Sequence, residues 1–154
     1  MLAISIHGMD AVIQGLQGIE QRAGNLRPAL LGIGEIVQEG TKQRFETATD
    51  PDGNKWLLNT PATLLAEDEF GNLRKEGDKP LTNHGTLAES IHYQMSSDKA
   101  VEVGSNMVQA AMMQFGGTKA EFPHLWGDIP ARPYLGVSEA EKAAILDLLS
   151  NYLL

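Results

Sequence analysis

The 154-residue sequence has no cysteine, few aromatic residues, few basic residues and no long apolar segment. Without cysteine the chain cannot form disulfides, thiolate metal sites or iron–sulfur clusters, and it has no cysteine nucleophile. Twelve Lys and Arg residues against 20 Asp and Glu residues give a formal charge of −8. This balance argues against a nucleic-acid-binding surface, because such surfaces depend on clustered cations. Aromatic residues make up 6% of the chain, too few for a platform that stacks on single strands.

No apolar run approaches the ~20 residues that a membrane-spanning helix needs. The first seven residues lack the basic segment and the long apolar core of a secretory signal. We therefore expect a soluble intracellular protein that does not bind membranes. A hydrophobic fraction of 42% and a charged fraction of 21% are typical of globular proteins. The length predicts a single domain over residues 1–154.

The hydropathy pattern predicts helices mixed with short strands, because some apolar residues alternate and others recur at helical spacing. The predicted elements, in chain order, are a strand at residues 2–7, helices at about 9–19 and 28–47, a helical turn at 86–89, a hairpin of strands at about 91–96 and 101–103, a helix at about 107–115 and a last helix from 139 onward. Thr86 with Glu89, and Ser138 with Glu141, have the spacing of capping boxes. This order predicts the α+β class, with a small antiparallel β-sheet packed by N-terminal and C-terminal helices.

Long irregular loops are the other predicted feature of the fold. The periodicity fails over a long loop at about 48–84, which begins with a turn at Asp50-Pro51-Asp52-Gly53. A second loop covers Gly117 to Asp128. Loops of this length are uncommon inside compact domains, and they tend to be either disordered or ordered by a partner.

The sequence contains no recognisable catalytic or ligand-binding motif. The histidines His7, His84, His92 and His124 are scattered and lack the short spacing that zinc sites favour. The acidic run Glu67-Asp68-Glu69 falls in a predicted loop, whereas catalytic carboxylates usually lie on rigid elements. We therefore expect no catalytic residue, no cofactor and no bound metal.

Aromatic residues in the irregular segments are the most informative candidates. Trp56 and Trp126 both lie in polar loops, and Arg132 and Tyr134 lie near the second in a proline-rich frame. Two interpretations are open. Each tryptophan either pins its loop onto the core or is buried against another subunit, since Trp, Tyr and Arg dominate interface hot spots. A proline-stiffened loop loses little entropy on binding, which favours a contact surface over a reaction centre.

A series of short motifs, running through nearly the whole chain, resembles one known family. The motifs are Arg44-Phe45, Pro51-Asp52-Gly53 followed by Trp56, Gly85-x-Leu87, Val103-Gly104-Ser105-Asn106, Gln114-Phe115-Gly116-Gly117 and the run from Ile129 to Gly136. In this order they resemble the phage virion morphogenesis family, the tail-completion or head–tail joining proteins of Mu-like contractile-tailed phages.

The resemblance implies a structural role at the neck of the virion, completing the tail or joining it to the head. It implies neck and tail proteins as partners (the tail tube or terminator and the head–tail connector), self-association into a ring, and no sequence-specific nucleic-acid binding, although DNA passes through such a ring. The protein is then expected in the virion, and in the host cytoplasm during assembly. The residues assigned to interfaces are Trp56, Phe115, Trp126, Arg132 and Tyr134. Two alternatives stay open, a small hydrolytic enzyme of a phage cassette and a monomeric adaptor.

Overall fold

The computed structural model describes residues 10–60, 69–71, 79–82, 85–125 and 127–154. These residues form five helices and one β-hairpin, in the order α1 (Asp10–Gly24), α2 (Arg27–Thr47), α3 (Thr86–Glu89), β1 (His92–Ser97), β2 (Ala100–Gly104), α4 (Ala110–Phe115) and α5 (Glu139–Leu153). The predicted α+β class, with helices from both halves of the chain around a small antiparallel sheet, is confirmed. The strand predicted at residues 2–7 and the side chain of Trp126 lie outside the described residues.

The long helix α2 is the element on which the others pack. Pro28 lies in its first turn, where the missing N–H costs nothing. Gly34 allows the hairpin to approach α2, since an added Cβ would lie 2.6 Å from the ring of Tyr93. Gly40 allows α5 to approach another face, since an added Cβ would overlap the Glu141 carboxylate. Two glycines at different faces therefore let α2 carry the hairpin and α5 together.

The hairpin forms where the apolar residues alternate in the sequence. β1 and β2 pair antiparallel, with Tyr93 opposite Val103 and Met95 opposite Val101. A bulge between Met95 and Ser97 leads into the turn. Gln38 of α2 donates from its amide to the carbonyl of Ile91 at 2.8 Å, which fixes the start of the hairpin against α2.

One predicted capping box is confirmed, one is wrong, and one helix begins later than predicted. The capping box of α5 is present, because Glu141 N–H donates to Ser138 Oγ at 3.2 Å and Ser138 N–H donates to Glu141 Oε2 at 2.6 Å. The capping box predicted at Thr86 is wrong. The N-cap of α3 is Gly85 in a left-handed conformation (φ +67°), so Thr86 is already helical. The helix predicted from residue 107 begins at Ala110, because the preceding residues form a turn in which Met107 N–H donates to Ser105 Oγ.

The hydrophobic core lies beside the C-terminal end of α2, and six buried residues form it. They are Phe45, Trp56, Leu87, Ile91, Ala110 and Tyr134. Phe45 is at its centre, with ring centroids 5.6 Å from Trp56 in an edge-on arrangement and 5.1 Å from Tyr134. The described parts of the predicted 48–84 loop contain no helix or regular strand, and Trp56 attaches the first of them to this core.

Candidate functional site

The extended segment 129–136, called the strap below, crosses the core and organises the surface around it. Prolines at positions 130 and 133 favour extended backbone at the residues that precede them. Tyr134, in the middle of the strap, is fully buried, and its hydroxyl donates to the carbonyl of Ala110 at 2.7 Å. Burial raises the pKa of the Tyr134 phenol above its ordinary value, because the phenolate would lose its hydration. The strap is thus attached to the core by its own side chain.

The side chain of Gln114 ties the strap to helix α4. Its Oε1 accepts hydrogen bonds from the backbone N–H groups of Tyr134 at 3.0 Å and Leu135 at 2.9 Å. Its Nε2 donates to the carbonyl of Leu135 at 3.2 Å. The backbone N–H of Arg132 also donates to Met113 in α4, at 2.9 Å. One amide therefore satisfies three backbone groups of the strap.

A buried ion pair connects the far end of the strap to α2 and α5. Arg44 Nη1 lies 2.7 Å from Glu141 Oε1, and Arg44 Nη2 lies 3.3 Å from the second carboxylate oxygen. The same guanidinium donates to the carbonyls of Tyr134 at 2.9 Å and Gly136 at 2.6 Å. Burial lowers the pKa of Arg44, and the charge of Glu141 opposes that shift. Four hydrogen bonds to a single guanidinium hold two helices and the strap in one geometry.

Arg132 and Trp56 fix the segment that follows α2 against the strap. The Trp56 indole N–H donates to the carbonyl of Pro133 at 2.8 Å. Arg132 Nε donates to the carbonyl of Leu57 at 2.9 Å, and its Nη2 donates to that of Leu58 at 3.1 Å. Burial lowers the pKa of the Arg132 guanidinium. These bonds hold the backbone of residues 56–58. The side chains of Leu57 and Leu58 remain outside the core.

The residues predicted to form interfaces occupy different environments. Trp56, Arg132 and Tyr134 are 5%, 7% and 0% exposed, and the contacts they make within the chain are those just described. Phe115 is 77% exposed at the end of α4. Trp126 lies outside the described residues. The role of all five in an interface stays a prediction, for which Phe115 is the accessible member among those described.

Exposed apolar side chains lie next to residues that are bonded to the strap. Leu57 and Leu58, whose carbonyls accept from Arg132, are 65% and 74% exposed, and the exposed Phe115 follows Gln114. Phe115 borders a depression that Phe122, Ile129 and Pro130 also line. Exposed apolar groups on fixed backbone are typical of binding surfaces. The sequence does signal Leu57 and Leu58, as apolar residues in a polar loop, but the interface assignment above omitted them.

The histidines were the candidates for a catalytic or metal site, and the described part of the chain places them as follows. His92 lines a shallow depression on the hairpin with Glu102 and Ser105, and its Nδ1 lies 2.9 Å from the carbonyl of Ser90. His84 lies outside the described residues. Among the residues that the structure describes, no three His, Asp or Glu side chains are grouped as metal ligands. Nor does any helix of that described part have the length and apolarity to cross a membrane.

Comparisons with known proteins give consistent matches over most of the chain. A profile of the phage virion morphogenesis family matches residues 8–154. The protein of Escherichia phage Mu named for capsid assembly, protein G, is 36% identical over 110 residues, which cover 71% of this chain and 67% of that protein. The Mu-like prophage FluMu G protein 2 of Haemophilus influenzae is 25% identical over 152 residues, covering 99% of this chain and 96% of that protein. No solved structure matches significantly.

Proposed function

Since the chain belongs to the phage virion morphogenesis family, we propose that it acts at the neck of a tailed phage, where it completes the tail or joins it to the head. Family membership itself establishes the coarser role, that of a structural protein of phage or prophage assembly. Position at the neck, and assembly into a ring of identical copies, are the finer parts of the proposal.

The observation that carries the proposal is the surface around the strap. Leu57, Leu58 and Phe115 are exposed, yet they lie on ordered backbone. Arg132 donates to the carbonyls of Leu57 and Leu58, and Phe115 follows Gln114, whose side chain is bonded to the strap. A surface that is already ordered pays little conformational entropy when a partner binds. Such a surface suits a protein whose task is to dock onto other virion proteins, and we assign it to a neighbouring neck or tail protein.

A ring requires contacts that are not self-complementary. Each copy then presents two different surfaces, one to each neighbour, and closure depends on the rotation between them. The net charge of −8 fits a ring around passing DNA, because an acidic subunit does not hold the phosphate backbone. The same charge keeps free subunits apart before assembly through their mutual repulsion.

The first test is deletion of the gene in the encoding phage, followed by electron microscopy of the lysate. Filled heads separate from tails are expected, with infectivity restored by the intact gene on a plasmid. Tails with abnormal ends would indicate tail completion, and normal tails beside unjoined heads would indicate a joining role. Empty or malformed heads would move the function to the capsid, as the name of the Mu relative indicates for that protein. Normal infectious particles would overturn the proposal in favour of the enzyme or adaptor alternatives.

The second test asks whether the strap surface is the docking surface. Leu58→Glu and Phe115→Glu should fail to restore infectivity while keeping the thermal stability of the intact protein, because both side chains are exposed. Leu146→Glu is the matched control, since Leu146 is 66% exposed on α5 and forms no part of the strap surface. Full complementation by Leu58→Glu and Phe115→Glu would remove the strap surface from the function.

A further inference from the structure

A mostly apolar groove runs between α2 and α5. Gly32 lies against Leu148 and Gly40 lies against Glu141, so the two helices run antiparallel with little side-chain bulk between them. The charge of Glu141 is paired with Arg44 beneath the groove. From Gly32 to Gly40 the groove is about 12 Å long, roughly two helical turns at 1.5 Å per residue. The residues of its floor are small or aliphatic: Gly32, Ile36, Ala140, Ala144 and Leu148.

Both helices that form the groove carry acidic side chains along it. Glu35 and Glu39, about one turn apart on α2, are exposed and line one rim. Asp147 is exposed on α5 and follows Ala144 by three residues, so it lies on the face of α5 that borders the groove. Lys42, half-buried and three residues after Glu39, offsets part of this charge. The groove therefore has an apolar floor between rims of net negative charge.

The described helices of this chain do not complement that charge. Helix α1 has an exposed apolar stripe of Ile13 and Leu16, but the exposed Glu20 continues the same face and would meet the acidic rim. Helices α1 and α5 contain one basic residue each, Arg22 and Lys142, and both are already hydrogen-bonded. Helices α3 and α4 contain none, and the exposed flank of α2 is the acidic rim itself. The occupant that matches the charge is therefore a helix of a different protein.

We propose that the α2–α5 groove binds a basic amphipathic helix of a second virion protein. Helices bind such grooves by placing apolar residues three or four apart on the floor, and two turns suffice for that here. Lys or Arg side chains beside that stripe then lie near Glu35, Glu39 and Asp147, where opposite charge speeds association and excludes acidic competitors. The proposal rests on the proposed function only in taking the partner to be a virion protein. The strap surface stays free for a different contact.

Cross-linking from inside the groove tests which occupant it has. A photoreactive benzophenone amino acid replaces the exposed Ala144, and the chain is expressed in cells infected by the phage. After illumination we expect an adduct with a different virion protein. Mass spectrometry should map the link to a helical segment whose apolar residues, three or four apart, are flanked by Lys or Arg. The matched control carries the same group in place of Leu146, which is 66% exposed on α5 but faces away from Ala144, and it should not form this adduct.

Charge reversal of the rim tests the electrostatic part of the proposal. Glu35→Lys with Glu39→Lys should lower the titre of the complemented deletion phage at least about tenfold and abolish the adduct, because like charges would then face each other. Asp98→Lys with Glu102→Lys is the control, since both residues are exposed on the hairpin and the net charge changes by the same amount. Thermal melts of both double variants should match the intact protein. Changing the Lys or Arg residues of the cross-linked segment to Glu should restore the titre of the rim variant.

Four results of the cross-linking would overturn the proposal. They are an adduct of twice the chain mass, a link within one chain, a link to an acidic or extended segment, and no adduct at all. Equal losses of titre from the two charge reversals would also count against it. Separated heads and tails in the deletion lysate, without the adduct, would leave the neck function standing and remove only this contact. The expected adduct together with normal particles in the deletion lysate would remove the neck function and keep the contact.

Discussion

Neutralising the buried Arg44–Glu141 pair provides the sharpest test of how the strap is held. We consider Arg44→Met, Glu141→Gln and the double variant. Glu141→Gln leaves a guanidinium with no counter-charge in a site where its side chain is only 7% exposed. Arg44→Met leaves the carboxylate without its partner, and it also removes the donors to the carbonyls of Tyr134 and Gly136.

The expected magnitudes follow from burial. Breaking one side of a buried pair costs about 3–5 kcal/mol, because the remaining charge keeps its desolvation penalty without compensation. For a chain of this length that corresponds to a fall in melting temperature of about 6–20 °C. The double variant has no charge left at this site, so its main cost is the two carbonyls that lost donors, at about 1–3 kcal/mol each. The sum of the single effects should therefore exceed the effect of the double variant by about 2 kcal/mol or more.

Urea unfolding followed by circular dichroism at neutral pH measures these free energies. Glu139→Gln is the control, because Glu139 pairs with Lys142 in the same first turn of α5, with side-chain exposures of 89% and 54%. That change should alter the free energy of unfolding by less than about 0.5 kcal/mol. If the two core variants each cost less than about 1 kcal/mol, or if their effects simply add, the pair does not hold the strap as described.

Three further predictions concern the same elements. Gly40→Ala should lower the free energy of unfolding by about 1–3 kcal/mol, because the added Cβ overlaps the Glu141 carboxylate. Gly15→Ala, with open space around it, should leave thermal melts unchanged or raise stability by up to about 1 kcal/mol. Equal losses in the two variants would contradict the close packing of α2 against α5 at Gly40. Tyr134→Phe should cost about 1 kcal/mol at pH 7 through the lost bond to the Ala110 carbonyl. Because burial raises the pKa of Tyr134, the folded chain should lose stability as pH rises past about 10, and the Phe variant, which cannot ionise there, should not share that loss. The free energies of unfolding of the two proteins are compared by urea melts at pH 7 and above pH 10. If their difference stays constant, the prediction is refuted. Trp56→Ala should lower the free energy of unfolding by about 3–5 kcal/mol, and a loss under 1 kcal/mol in the same assay would mean that Trp56 does not anchor its segment.

Local signals in the sequence predicted most of the secondary structure. Ser138 and Glu141 begin α5, and alternating apolar residues form the hairpin, because both patterns act between residues close in the chain. Two wrong predictions of helix starts are explained by other local interactions. Gly85, in a left-handed conformation, is the N-cap of α3 in place of Thr86. The Ser105 hydroxyl accepts from the Met107 N–H in a turn, so α4 begins after that turn.

The candidate site was less predictable, because its bonds join distant parts of the chain. Arg44 and Glu141 are 97 residues apart, and Trp56 and Pro133 are 77 apart. From the sequence, Trp56 was open to two interpretations, a core anchor and an interface residue. Choosing between them requires the position of Pro133 relative to α2, which no local pattern encodes. The sequence signals Leu57, Leu58 and Phe115 as apolar residues, but their exposure beside the buried anchors is known only from the structure.

Gln114 gives the surface a short mechanical connection to the interior. It precedes the exposed Phe115 in sequence, and its amide holds the backbone of Tyr134 and Leu135, whose strap is bonded in turn to Arg44. A force applied at Phe115 therefore reaches α2 without passing through a flexible loop. The path is the peptide bond between Gln114 and Phe115, the hydrogen bonds from Gln114 to the strap, and the hydrogen bond from Arg44 to the carbonyl of Tyr134. A subunit connected in this way transmits tension instead of stretching, a property that fits the position at the neck proposed above.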